Sequence, residues 1–154
     1  MRKYFLQFLT VMAALVLVSC SKSDDDSPFY GVKGEVDGIS LKVDQFTDNV
    51  SFTNSNGSCA ITAYTVDDEG FRISFDEATP TGIYDLANSE VSMTYAKDAL
   101  ASDYYGFDSG TIEITKFEYG DDIHFKATFS GEASSNMGGG TVVTITNGNA
   151  EIKF

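Results

Sequence analysis

Tryptophan is absent from this 154-residue chain, and histidine, cysteine and proline occur only once, twice and twice. Two cysteines cannot support a disulfide framework. Basic residues are also few, with 10 against 23 acidic residues and a formal net charge of −13. Such a chain repels phosphate backbones, which argues strongly against nucleic acid as a partner. The remaining composition, 42% hydrophobic and 21% charged, is typical of one globular domain.

Long apolar runs are missing too, apart from one near the N-terminus. Arg2 and Lys3 precede an apolar stretch over residues 4–18, which ends at Ser19 and Cys20. This stretch is shorter than the roughly twenty residues that cross a bilayer as a helix. A positive start, a short apolar run and a small residue predict a secretory signal peptide over residues 1–19. The alternative is an uncleaved N-terminal membrane anchor.

The end of this stretch carries a more specific motif. Leu17, Val18, Ser19 and Cys20 resemble the bacterial lipobox. The resemblance implies cleavage between Ser19 and Cys20 and attachment of a diacylglycerol, including palmitate-type chains, to the Cys20 thiol. More than one acyl chain gives stable anchoring, because each buried methylene contributes about 0.8 kcal/mol. The alternative is a cysteine that follows an apolar run by chance.

An acidic, polar segment follows the cysteine. Residues 20–29 read as a flexible tether. Asp24, Asp25 and Asp26 resemble the export signal that follows the lipidated cysteine in surface lipoproteins of Bacteroidota. The resemblance implies an outer-membrane protein that faces the cell exterior. An ordinary acidic spacer on an inward-facing lipoprotein is the alternative.

Period-2 alternation dominates the body of the chain, residues 30–154. Phe71, Ile73 and Phe75 alternate with polar neighbours, as do Phe125 and Phe129. Alternation of this kind is typical of antiparallel strands with one wet face. The pattern predicts a single all-β domain, an antiparallel β-sandwich or a flattened β-barrel of eight to ten strands.

Turn residues divide the body into hairpins. Asp37-Gly38 and Asn147-Gly148 suit two-residue turns, because both pairs accept a positive φ at low cost. Asn56-Gly57 marks a further reversal. Residues 85–101 favour a strand followed by a loop or a single helical turn, and residues 133–140 favour a mobile hairpin tip.

The resemblance extends into this body. Residues 32–38, 110–115 and 143–148 look like strands of small, uncharacterised single-domain surface lipoproteins of Bacteroidota. That family has no settled activity. The resemblance therefore implies an architecture and a location, without an activity, and it implies no cofactor.

One aromatic cluster is the candidate ligand-binding site. Tyr104, Tyr105 and Phe107 stand beside acidic residues in a loop-like stretch that ends at Gly110. Exposed tyrosines beside carboxylates can stack on a sugar and accept its hydroxyls, which makes a glycan or an envelope protein a candidate partner. The cluster could instead plug one end of the sandwich or barrel.

Other reactive side chains suggest no enzyme. His124 alternates with apolar residues and should face solvent, and no serine lies in a G-x-S-x-G elbow. Cys59 reads as a buried small hydrophobe, with a reactive thiol as the alternative. Residues 67–70 and 121–122 are acidic turns, which could pool carboxylates for calcium but lack the twelve-residue loop pattern.

These observations predict a non-enzymatic protein with a binding or structural role at the cell envelope. A lipocalin-like carrier of a small apolar ligand is the alternative. Packing separates the two, because Phe71, Phe75, Phe125 and Phe129 would fill the interior of a non-carrier. An open apolar cavity above about 300 Å³ would favour ligand binding inside the barrel.

Overall fold

The computed structural model describes residues 28–97, 104–136 and 140–154. Several sequence predictions fall outside these residues: the signal peptide, Ser19, Cys20, Asp24, Asp25, Asp26 and nearly all of the tether. Within the described residues the chain is all-β, as predicted. None of the described segments is a helix of the length and apolarity that a bilayer crossing requires.

Ten strands form the described body. They are β1 (Gly31–Val36), β2 (Ile39–Asp44), β3 (Asn49–Ser55), β4 (Ser58–Tyr64), β5 (Gly70–Asp76), β6 (Gly82–Asp85), β7 (Ser92–Ala96), β8 (Tyr104–Glu118), β9 (His124–Ser135) and β10 (Val142–Lys153). They form one antiparallel sheet in the order β2-β1-β10-β9-β8-β7-β5-β4-β3, and β6 pairs with β8. The outer strands β2 and β3 approach each other, so the sheet is nearly closed and barrel-like.

The antiparallel pairing decides which strand ends meet. The last residues of β1, β4, β7 and β9 lie at one end of the barrel, together with the first residues of β5, β8 and β10. We call this end the mouth. The strands β3, β5 and β8 end at the opposite end, which we call the base. Segments far apart in sequence therefore contribute to each end.

Aromatic side chains fill the barrel between these ends. Phe71, Phe75, Phe125 and Phe129 are all buried. The Phe71 and Phe129 ring centroids are 5.3 Å apart, and Phe75 stacks on Phe125 at the same distance. Edge-to-face and offset contacts of this kind add to the free energy gained by burying the rings. The interior at this level is packed with side chains, as expected for a protein that does not carry a ligand deep inside.

More aromatic rings close the base. Phe117 contacts Phe75 with ring centroids 4.9 Å apart. Phe52 lies between Phe117 and Tyr119, with its ring centroid 5.6 Å from that of Tyr119. Three strands, β3, β5 and β8, thus contribute rings that cover this end.

Two of the predicted hairpin turns are confirmed. Asp37 and Gly38 have φ values of 50° and 78° and join β1 to β2. Asn56 and Gly57, with φ values of 54° and 86°, join β3 to β4 in the same way. Positive φ at both central residues gives the turn whose twist matches that of its strands.

The hairpin predicted at Asn147-Gly148 is wrong. Residues 142–153 form the single strand β10, and the register with β9 shifts between Ile145 and Gly148. Asn147 has a φ of 54° here as well, but it belongs to a β-bulge. The reason is that a bulge can use the same left-handed residue that a tight turn needs.

The region around residue 133 also differs from its prediction. Ala133 is fully buried and pairs with both Phe107 and Val143. The strand β9 runs on to Ser135, so the first part of the predicted mobile tip is wrong. Residues 137–139 lie outside the described residues. The strand predicted within residues 85–101 is confirmed as β7, whose Met93 and Tyr95 point inward.

Candidate functional site

The three predicted aromatic residues lie in a strand and not in a loop. Tyr104, Tyr105 and Phe107 all belong to β8, whose alternation sends them to two different faces. Tyr105 and Phe107 point inward and are 7% and 8% exposed. Tyr104 lies half-buried on the outer face, hydrogen-bonded to Tyr64. The three therefore do not form one exposed stacking surface, and Tyr105 and Phe107 match the plugging alternative.

Tyr105 does, however, line a pocket of about 360 Å³ at the mouth. The other lining residues are Val36, Asp37, Ile39, Ser40, Leu41, Glu69, Tyr95, Lys97, Thr141 and Val143. They come from the β1–β2 hairpin, the turn before β5, the end of β7 and the start of β10. We call this cavity the mouth pocket. Its volume and mixed lining are typical of small-molecule sites.

Apolar side chains form the inner part of the mouth pocket. Val36, Leu41 and Val143 are buried, because they are inward-facing residues of three neighbouring strands. Ile39 also lines the pocket but is 74% exposed, since it lies next to the β1–β2 turn. The pocket thus changes from apolar at its inner surface to solvent-exposed at its opening.

A hydrogen bond between Tyr95 and Glu69 crosses the pocket lining. The Tyr95 hydroxyl donates to Glu69 Oε1. Burial, first, and then this hydrogen bond and the Glu69 charge raise the pKa of Tyr95 above its ordinary value. A buried hydroxyl needs such a partner, because an unpaired one costs about 1–3 kcal/mol.

Hydrogen bonds within or beside their turns fix the two acidic residues of the mouth pocket. Glu69 N donates to Thr65 Oγ1 at 3.2 Å, and Thr65 N donates to Glu69 O at 2.9 Å. Asp37 Oδ1 accepts from Thr144 N at 2.8 Å. Both acidic residues are therefore fixed in position, while Lys97, the basic residue of the lining, is exposed.

The chain's single histidine is remote from this pocket. His124 begins β9 and lies on the outer face as predicted, but it is half-buried and not open to solvent. Its Nε2 is 3.5 Å from Glu151 Oε1, and Lys126 Nζ is 3.0 Å from Glu151 Oε2. The Lys126 hydrogen bond, first, and then the charges of Lys126 and His124 lower the pKa of Glu151. This cluster couples β9 to β10.

Cys59 lies in the core, and the two acidic turns lie at opposite ends of the barrel. Cys59 is fully buried, as predicted, and burial together with Glu77 and Asp76 raises the pKa of its thiol. The turn at residues 67–70 lies at the mouth and the turn at residues 121–122 lies at the base, so the two cannot pool carboxylates. Among the described residues, no three His, Cys, Asp or Glu side chains are grouped to hold a metal ion.

Sequence reasoning missed most of the mouth pocket. The sequence marks Asp37 as a turn residue and Glu69 as part of an acidic turn, and Lys97 carries no signal at all. Each of the three lies next to the end of a strand, and this position is the one signal in the sequence that could have pointed to the pocket. The pairing of distant strands brings them together, and that pairing is not encoded in any local pattern.

Comparisons with protein-family models, with curated proteins and with solved structures found no significant match. The geometry of the chain itself therefore carries the functional argument.

Proposed function

We propose that this chain is a lipid-anchored, non-enzymatic binding protein of the outer membrane whose mouth pocket takes a small ligand. The ligand would have an apolar body and a hydrogen-bond donor such as a hydroxyl or an amine. One observation carries this proposal: a 360 Å³ pocket at the mouth combines buried apolar walls with two carboxylates held by hydrogen bonds.

The lining supports this ligand class in two ways. Val36, Leu41 and Val143 offer apolar surface, and burying such surface contributes about 25 cal/mol per Å². Asp37 and Glu69 carry acceptor oxygens at the same cavity, against the single basic group of Lys97. The net charge of −13 also favours the approach of neutral or cationic molecules over anions.

A carrier role is the alternative, and its ligand would lie at the mouth. A lipocalin-like protein would enclose its ligand in the interior, but Phe71 and Phe129 fill that space with ring contact at 5.3 Å. A ligand held at the mouth instead stays partly exposed and can be released to a partner. Transfer of an apolar ligand at the membrane surface is therefore the second candidate function.

Location is part of the proposal and rests on the N-terminal sequence. Acyl chains on Cys20 would moor the domain, and the tether with Asp24, Asp25 and Asp26 would direct it to the cell exterior. The domain itself need not enter the bilayer. The pocket would then act on molecules that reach the cell surface.

The test uses N-phenyl-1-naphthylamine, a fluorescent apolar amine with one N–H donor. We expect saturable, one-to-one binding to the full chain. Ile39→Ala removes exposed apolar wall at the pocket opening and should weaken binding several-fold. Val66→Ala is the matched control, because Val66 is 72% exposed at the same end but does not line the pocket.

Each outcome decides the question. Weaker binding to Ile39→Ala, with Val66→Ala equal to the original chain, supports the mouth pocket. Glu69→Gln should also weaken the binding of the amine. It should leave the affinity for naphthalene, which has no hydrogen-bond donor, unchanged. Equal affinities for all variants, or no saturable binding to the original chain, would contradict the proposal.

A further inference from the structure

A second concavity lies on the outer wall, away from the mouth pocket. It has a volume of about 700 Å³ and is open along its length. Threonine, serine and asparagine side chains of β8, β9 and β10 line most of it, with Glu113 as its charged member. We call it the wall groove. Ile83 and Phe129 are its apolar members, and it lacks the buried aliphatic wall that Val36, Leu41 and Val143 form in the mouth pocket.

The side chains of the wall groove follow one row across the sheet. Ile83 on β6 pairs with Glu113 on β8, Glu113 pairs with Thr128 on β9, and Thr128 pairs with Asn149 on β10. Neighbouring strands lie about 4.8 Å apart, so this row spans about 14 Å. The groove therefore suits an elongated ligand that crosses the strands.

The bulge in β10 contributes residues to this groove. The register shift between Ile145 and Gly148 leaves both Thr146 and Asn147 exposed on the outer face. In a regular strand two successive side chains would point to opposite faces. The bulge thus adds one extra polar side chain to the lining of the groove.

The chemistry of the groove selects among ligand classes. The backbone of Glu113, Thr128 and Asn149 is already paired on both sides within the sheet, so an extended peptide cannot add a strand here. The negative net charge opposes nucleic acid. Hydroxyl, amide and carboxylate groups instead match a ligand with many hydroxyls, and the Ile83 side chain, 71% exposed, can pack on its apolar face.

We infer that the wall groove is a binding site for a neutral oligosaccharide. Thr128 and Asn149 hydrogen-bond to sugar hydroxyls, Glu113 accepts from them, and Ile83 packs against a ring face. This site is distinct from the tyrosine cluster that the sequence suggested and from the mouth pocket. It stands or falls independently of the ligand proposed for the mouth.

The test begins with an array of neutral oligosaccharides and the full chain. The strongest-binding oligosaccharide is then titrated by calorimetry against the double variant Thr128→Val and Asn149→Leu. Loss of two hydrogen bonds should weaken binding about tenfold or more. Thr53→Val is the control, because Thr53 is an exposed threonine on β3, outside the groove. Thermal unfolding checks that all variants fold.

The inference is supported if the double variant binds at least about tenfold more weakly and Thr53→Val binds as the original chain does. It is overturned if no oligosaccharide on the array binds. It is equally overturned if the double variant keeps full affinity, or if Ile39→Ala at the mouth abolishes binding while the groove variant does not.

Discussion

The tyrosines show how one residue type takes different roles according to its neighbours. The buried Tyr95 hydroxyl donates a hydrogen bond to Glu69. Tyr105, on the next strand, packs its ring against that of Tyr95, with the ring centroids 5.7 Å apart. Tyr64 and Tyr104 meet on the outer face, over the small residues Gly70 and Ala96 that pair between them. The sequence could predict aromatic clustering near residue 105 but not these partners.

There is a physical reason why the contacts of these tyrosines could not be predicted. The acidic neighbours of Tyr104 and the following Gly110 are signals of a loop, but pairing with β7 and β9 made this segment a strand. Strand alternation then sent Tyr104 and Tyr105 to opposite faces. Glu69 meets Tyr95 only because β5 and β7 are neighbours in the sheet.

Tyrosine ionisation should destabilise the fold at high pH. Burial and hydrogen bonding raise the pKa of Tyr64 to about 12 and raise that of Tyr95 as well. The unfolded chain releases these protons above about pH 10, while the folded chain retains them. The stabilisation is therefore complete below about pH 10 and is lost as the pH rises through the folded-state pKa values.

Urea unfolding at pH 8 to 11 measures this effect. Tyr95→Phe should lower the free energy of unfolding by about 1 kcal/mol at pH 8, because Glu69 loses a hydrogen bond. It should also reduce the fall in stability above pH 10. Parallel pH profiles for the original chain and Tyr95→Phe would show that this tyrosine is not responsible.

Among the elements, β10 shows where local patterns stop being sufficient. Its alternation identified both halves as strands, and its Asn147-Gly148 pair correctly marked an irregularity. The chemistry of that pair fits a hairpin turn and a bulge equally well, because both need a residue at positive φ. Because both halves of β10 pair with the same strand, β9, the Asn147-Gly148 pair forms a bulge and not a hairpin turn.

Gly148 in β10 should tolerate no side chain. A Cβ atom there would lie 2.3 Å and 2.4 Å from two ring atoms of Phe129, which is buried and cannot move away. Gly148→Ala should therefore lower the free energy of unfolding by about 1–3 kcal/mol. Denaturant titration gives this value directly.

Gly120 provides the matched control for that substitution. It lies after β8, and a Cβ atom there would meet nothing within 4 Å. Gly120→Ala should leave the stability within about 0.5 kcal/mol of the original chain. Equal destabilisation by both substitutions would mean that packing against Phe129 does not explain the glycine in β10.

The two ends of the barrel differ in the kinds of side chain that line them. Aromatic rings from β3, β5 and β8 close the base, and the mouth retains a cavity lined by apolar and acidic groups. The sequence predicted the all-β class and the number of strands, because both follow from local alternation. It could not predict the mouth pocket, because five separate segments of the chain meet there only after the sheet has nearly closed.

Attachment of the whole molecule to a membrane through Cys20 is a further prediction. Cys20→Ala should abolish incorporation of labelled palmitate, because no other residue of the motif supplies a thiol. Cys59→Ala should incorporate the label as the original chain does, since Cys59 is fully buried in the barrel. Labelling of Cys20→Ala, or loss of labelling in Cys59→Ala alone, would rule out the proposed anchor.

The central claim is that a small ligand with an apolar body binds in the mouth pocket and not at the base of the barrel. Methyl-group NMR during titration with N-phenyl-1-naphthylamine tests this claim most directly. Resonances of Ile39, Leu41 and Val143 should shift together and saturate at one equivalent, because these side chains line the pocket. Those of Ile152, a buried residue at the base end of β10 that does not line the pocket, should stay in place. Shifts confined to Ile152, or no shift at the three mouth residues, would contradict the account.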